Sequence, residues 1–230
     1  MGRGLFISFM KTKLAIYQVF TRTFGNRILT RKEYGTITEN GVGKMNDLDR
    51  TVLQQIQGLG ITHVWYTGVI RHATCTDYSL FGIPQQNPHV VKGRAGSPYA
   101  ITDYYDIDPE EFENLVFRTH AEGLKVLIDF VPNHVARQYK SIAKPEGVED
   151  LGQGDDTGKH FDMQNNFYYC PGEYLDLSGV PTYDYATGAE TYMEFPAKCT
   201  GNDRFDSHPQ QNDWYETIKL NYGIDYCDAG

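Results

Sequence analysis

The sequence predicts an α/β fold in which three β/α units around a parallel sheet are followed by an irregular, β-rich insertion. Three observations predict it. Apolar runs of strand length alternate with helix-period stretches over the first 134 residues. The third of those runs, Leu124-Lys125-Val126-Leu127-Ile128-Asp129-Phe130-Val131, is almost continuously apolar, which is the pattern of a strand buried on both faces of a parallel sheet. From Val135 onward the rhythm stops, and Gly, Asp, Asn, Pro and Tyr dominate.

The elements follow in order. Leu14-Ala15-Ile16-Tyr17-Gln18-Val19-Phe20 is the first strand, bounded by polar residues and Gly25. A turn-rich stretch from Gly35 to Lys44 leads to a helix with Asn46 as its expected N-cap. Leu48, Val52, Leu53, Ile56 and Leu59 recur at the helical period and make its buried face, and Gly58 and Gly60 close it. Ile61-Thr62-His63-Val64-Trp65-Tyr66 is the second strand. Thr67 to Asp108 is too long for a simple connector, which points to a functional loop. The second helix is expected to begin with Asp108 as cap, Pro109 at its first position and Glu111 completing a capping-box spacing. Phe112, Leu115 and Val116 form its stripe and Gly123 ends it. After the third strand, Asn166–Tyr169 and Thr191–Phe195 are expected as short strands.

Composition narrows the function. The 230 residues carry 21 basic and 30 acidic side chains, a net charge of −9, which disfavours a nucleic-acid partner. No apolar run approaches the roughly 18 residues of a membrane-spanning helix. The apolar Leu5–Met10 is shorter than a signal core and lacks a small-residue cleavage site, so residues 1–12 are expected to be an N-terminal extension and the protein cytoplasmic. The cysteines Cys75, Cys170, Cys199 and Cys227 have no Cys-x-x-Cys spacing and are expected to be reduced thiols. Seventeen tyrosines, 12 phenylalanines and 2 tryptophans suit ordinary packing and also the gripping of polyhydroxylated ligands.

In parallel α/β sheets ligands gather at the carboxyl ends of strands. The third strand ends Asp129-Phe130-Val131-Pro132-Asn133-His134, a carboxylate, an amide and an imidazole within six residues. Such a cluster either satisfies loop backbone or faces a ligand. The loop Ser97-Pro98-Tyr99 through Asp108 adds tyrosines and aspartates to the same expected face, with Asp103 and Asp106 also suited to forming turns.

These residues resemble the α-amylase family (glycoside hydrolase family 13). Asp129–His134 is similar to the Asp-x-x-x-Asn-His signature at the end of that family's third barrel strand. Ile16–Phe20 resembles its first strand, and Tyr99–Pro109 resembles its Tyr-x-x-x-Asp-Tyr-Tyr-x-Ile-Asp-Pro segment. Asn165–Tyr169 and Asp213-Trp214-Tyr215-Glu216-Thr217 resemble a bacterial branch of the family. The resemblance covers roughly residues 13–228.

It implies an incomplete (β/α)8 TIM barrel, three units over residues 13–134, with residues 135–230 as an irregular B-domain insertion. It implies a retaining glycoside hydrolase acting on an α-glucan or maltooligosaccharide. Tyr99 would stack on a sugar ring, His134 would hydrogen-bond its hydroxyls, and Asp129 would hold the site's architecture. Asn133 would be a calcium ligand, although the family's later carboxylate ligand is matched here by Lys219-Leu220-Asn221-Tyr222. No residue of this sequence takes a catalytic role, because the resemblance places nucleophile and acid/base on later strands. The chain alone is therefore expected to be inactive, with a non-catalytic carbohydrate-binding fragment as the alternative.

Overall fold

Parallel pairing of three strands organises the first half of the molecule. The computed structural model describes residues 13–107 and 109–226. The expected extension at 1–12, the cap at Asp108 and the thiol of Cys227 lie outside the described residues. In chain order the first elements are β1 (Ile16–Phe20), α1 (Ile37–Asn40), α2 (Arg50–Gly58), β2 (His63–Thr67), β3 (Arg71–His72) and β4 (Ile101–Asp103). They are followed by α3 (Pro109–Ala121), β5 (Lys125–Ile128), β6 (His134–Ala136), β7 (Tyr169–Cys170), β8 (Ala197–Lys198) and β9 (Thr217–Lys219).

The main sheet has the order β1–β2–β5, all parallel, with Ile16 opposite His63 and His63 opposite Lys125. Its strands therefore end together, at Phe20, Thr67 and Ile128. One face packs on α2 and α3: Val19, Val64 and Tyr66 meet Leu48, Leu53, Ile56, Leu115 and Leu124 in one buried core. The Tyr66 hydroxyl is 2.7 Å from Thr119 Oγ1, so the polar end of this buried ring is satisfied. Gly123, at φ +73°, ends the α3 turn in the left-handed region as the sequence expects.

Three expectations are corrected. The cap of α2 is Asp49, whose carboxylate accepts from Val52 N at 2.9 Å. Asn46 instead lies in a 3-10 turn, Met45–Asp47, and its amide reaches Glu111. Leu59 is 71% exposed, because the helix ends at Gly58 and the apolar period ends with it. The third strand is shorter than Leu124–Val131 and is not buried on both faces: Leu127 and Ile128 are exposed and Phe130 is 72% exposed. The reason is topological. β5 is the edge strand, and nothing among the described residues covers the side of the sheet that carries Ile16, Gln18 and Leu127.

The second half pairs in short antiparallel pieces, β6 with β9 and β7 with β8. β6 spans the expected boundary between residues 134 and 135 and packs on β4, so it joins the two halves. The expected strand Asn166–Tyr169 is displaced to Tyr169–Cys170, with Phe167 making only an isolated bridge to Leu220. Thr191–Phe195 is not a strand, because Glu194 turns inward to the buried Arg137.

Candidate functional site

The site is built where the parallel strands end. Asp129 leaves β5 with both oxygens engaged: Oδ1 accepts from the Trp65 indole at 2.6 Å, and Oδ2 accepts from Gly68 N at 3.0 Å. It therefore ties the tip of β5 to the tip of β2. Gly68 has φ +76°, and a Cβ there would lie 3.1 Å from both Phe20 and Pro98, so glycine is needed for its amide to come this close.

Beyond Asp129 the chain is strapped carbonyl by carbonyl. The Tyr104 hydroxyl donates to the carbonyls of Val131 and His134, and the Tyr222 hydroxyl donates to that of Pro132. Leu220 N donates to the Asn133 carbonyl at 3.0 Å. Residues 131–134 are thus fixed from β4 on one side and from the β9 region on the other. Asp103 and Asp106 serve structure: Asp103 accepts from Tyr105 N, Ser141 Oγ and the amides of Ile142 and Ala143, while Asp106 pairs with Arg71.

His134 is buried, and its ring hydrogen-bonds the backbone of Tyr99. Its Nδ1 lies 3.0 Å from the Asn133 side-chain nitrogen. Burial holds the imidazole below its ordinary pKa; the bond to Tyr99 opposes this and the Lys219 charge reinforces it. The ring is consequently neutral near pH 7, with one donor and one acceptor nitrogen. Tyr99 is 39% exposed beside it. The structure therefore brings Tyr99, Asn133 and His134 to one end of the sheet, with Asp129 at the base of the same tip.

Trp214 completes the group, and sequence reasoning missed it as a site residue. Its ring is centred 5.0 Å from that of His134 and it is 42% exposed. Its backbone is held at both ends: N donates to Asn202 Oδ1, and the carbonyl accepts from Thr217 N and Oγ1. Eighty positions along the chain separate Trp214 from His134. The pairing of β6 with β9, His134 opposite Lys219, brings the two regions together. The one signal available was a tryptophan inside a polar, turn-forming segment.

The Asn133 side-chain nitrogen donates to the Gly201 carbonyl at 3.0 Å. Lys219, buried and paired with Asp203, brings a full positive charge to the neighbouring register position. A neutral imidazole beside the Trp214 ring suits a polyhydroxylated ring. Both Asp129 oxygens accept hydrogen bonds from the tip of β2.

A family profile described as "Alpha amylase, catalytic domain" matches residues 18–213. Maltase A2 of Drosophila melanogaster is 25% identical over 151 residues, which are 62% of this chain and 21% of the maltase. The amino acid transporter heavy chain SLC3A1 of Mus musculus is 27% identical over 129 residues, 54% of this chain and 14% of that protein. Among solved structures, the maltogenic alpha-amylase AmyB of Thermotoga neapolitana is 31% identical with a TM-score of 0.37, covering 55% of this chain and 25% of that one. The chain thus spans about a quarter or less of the length of the curated relatives it matches.

Proposed function

The chain belongs to the alpha-amylase family, by the match over residues 18–213, and on that premise we propose that it forms one wall of the sugar-binding cleft of an α-glucan-acting glycoside hydrolase. In this reading the β/α half is the start of a (β/α)8 barrel and the irregular half is its B-domain insertion. The observation that carries the proposal is the grouping of Tyr99, His134 and Trp214 on a tip made rigid by Tyr104, Tyr222 and Asp129. An aromatic face meets the apolar face of a hexose, and a neutral imidazole can both donate to and accept from its hydroxyls. Relatives that carry the names maltase and alpha-glucosidase support α-linked glucose as the substrate class.

Turnover is a separate matter. Retaining glycoside hydrolysis needs two carboxyl groups about 5–5.5 Å apart, both free to react. The family resemblance assigns neither group to a residue of this sequence, so in this proposal the 230-residue chain binds sugar without cleaving it. The match to SLC3A1, a protein named for transport, agrees with membership of this family not entailing cleavage.

Calorimetry of the chain with maltooligosaccharides, run beside a reducing-sugar assay, tests both parts. Tyr99→Ala and His134→Ala are each expected to weaken binding at least about tenfold, roughly 1.4 kcal/mol. No reducing sugar is expected from any form. Wild-type affinity in both variants would reject the site. Hydrolysis abolished by replacing a carboxylate within the chain would reject the non-catalytic reading.

A further inference from the structure

Cys170 and Cys199 lie 29 positions apart in the sequence, yet their sulfurs are 3.9 Å apart. The register of β7 and β8 explains the approach. Cys170 stands opposite Ala197, and Cys199, two residues further on, lies on the same face of the ladder. Cys199 N donates to the Tyr168 carbonyl at 3.1 Å, which continues the pairing up to the second thiol. Both side chains are buried among Tyr168, Leu175 and Ala197. Each thiol therefore has the other as its near sulfur partner, with Arg137, Glu173 and Asp206 close enough to act on the pair by charge.

From this geometry we infer that Cys170 and Cys199 are a disulfide-forming pair, and that a small disulfide of the glutathione class converts them from dithiol to an intramolecular cross-link. A disulfide bond is about 2.05 Å long, so the sulfurs must close by roughly 2 Å. The two thiols are not equivalent. Cys170 retains a little solvent contact while Cys199 has none. The hydrogen bond from Cys199 holds the Cys170 thiol below its ordinary pKa, against the effect of burial. That same bond, with burial, pushes Cys199 up. Cys170 is accordingly the attacking group and Cys199 the resolving one.

The chemistry balances in two exchanges. The Cys170 thiol loses its proton, and its thiolate attacks one sulfur of the small disulfide. A mixed disulfide forms on Cys170, and one equivalent of small thiolate leaves and takes up that proton. Cys199 then loses its proton and attacks Cys170 Sγ, expelling the second small thiol. The two cysteines are oxidised by two electrons in all, and one small disulfide is reduced to two thiols. The product staples the end of β7 to the residue that follows β8, across a segment that holds the inward-turned Glu194.

Cys75 supplies an internal control. It is only half-buried, and burial pushes its thiol up to about 11. The test is to treat the folded chain with oxidised glutathione, alkylate it, and map peptides with and without reductant. A reducible peptide joining Cys170 to Cys199 is expected, with the intact mass lower by two hydrogens relative to the reduced chain. In Cys199→Ser the expected product is a stable glutathione adduct on Cys170. Proteolysis between residues 170 and 199 is expected to slow at least about threefold in the cross-linked form. Full alkylation of Cys170 and Cys199 after oxidation, in a chain shown to be folded by circular dichroism, overturns the inference. A glutathione adduct on wild-type Cys170 that Cys199 never resolves overturns it equally. The wild-type peptide map decides the matter even if a serine variant does not fold.

Discussion

The two halves of this chain are held together by different physics. Up to β5, stability rests on apolar periodicity: α2 and α3 press Leu53, Ile56 and Leu115 onto Val19, Val64 and Tyr66. From β6 onward there is little regular structure, and side chains do the work that ladders do elsewhere. Asp155 accepts from the amides of Asn166 and Phe167 and from the Tyr169 hydroxyl. The Asn221 amide donates to the carbonyls of Asp162 and Asn165, more than fifty positions away. Arg137 donates to the carbonyls of Tyr215 and Lys198 and pairs with Glu194. The difference teaches that irregular backbone is not loose backbone. Its polar groups are satisfied one by one, so single substitutions are felt more sharply there than in a periodic element.

The sharpest way to break that comparison is Arg137→Ala. Arg137 and Glu194 are both buried, with Nη1 2.8 Å from Oε1. Removing the arginine leaves a buried carboxylate whose remaining cation, Lys198, is 3.9 Å away, and takes a donor from two carbonyls, for an expected loss of about 3 kcal/mol. Urea denaturation should show it, and limited proteolysis should begin in residues 170–220. A loss under about 1 kcal/mol would mean that the second half does not depend on its side-chain bonds.

An intermediate effect comes from pH. His134 at the junction and His72 in the first half are both held below their ordinary value of 6.5, chiefly by burial. A unit or more above pH 6.5 each is neutral in folded and unfolded chain alike and contributes no pH dependence. As pH falls below 6.5 the unfolded chain takes up protons that the folded chain refuses, so stability drops, by at most about 1.4 kcal/mol per pH unit per histidine. Glu216, raised by burial, has the opposite sign. Comparing wild type with His134→Gln isolates the imidazole. The slope between pH 6.5 and 5.5 should be shallower in the variant, and equal slopes would place His134 outside the protonation linkage.

Legibility in the sequence follows the same division. β1, β2, α2, α3 and Gly123 were readable because an apolar face repeats at 2 or 3.6 residues whatever the rest of the chain does. Asp129, Asn133 and His134 were readable because polar residues crowd the end of an apolar strand. Asp49 was missed as the α2 cap because Asn46 stands just upstream with similar chemistry, and a 3-10 turn between them decides the matter. β3 and β4 were missed because two and three residues carry no period. Trp214, Arg137 and the Cys170–Cys199 approach depend on partners far along the chain. No local pattern encodes such partners.

The smallest expected effect sharpens the comparison from the other side. Leu127 belongs to the most apolar segment of the sequence, yet it is 37% exposed on the uncovered face of an edge strand. Leu53, one sheet face away, is fully buried. Leu53→Ala should therefore cost about 2–5 kcal/mol and Leu127→Ser within roughly 0.5 kcal/mol, although sequence alone ranks the two leucines the other way. Equal losses would mean that the open face is covered in solution. The simplest cover is a second copy of the chain, since unpaired apolar strand edges invite one another. Sedimentation over a range of concentrations separates the cases. A monomer with unequal losses leaves the asymmetry in the fold, whereas a concentration-dependent Leu127 effect moves it to an interface.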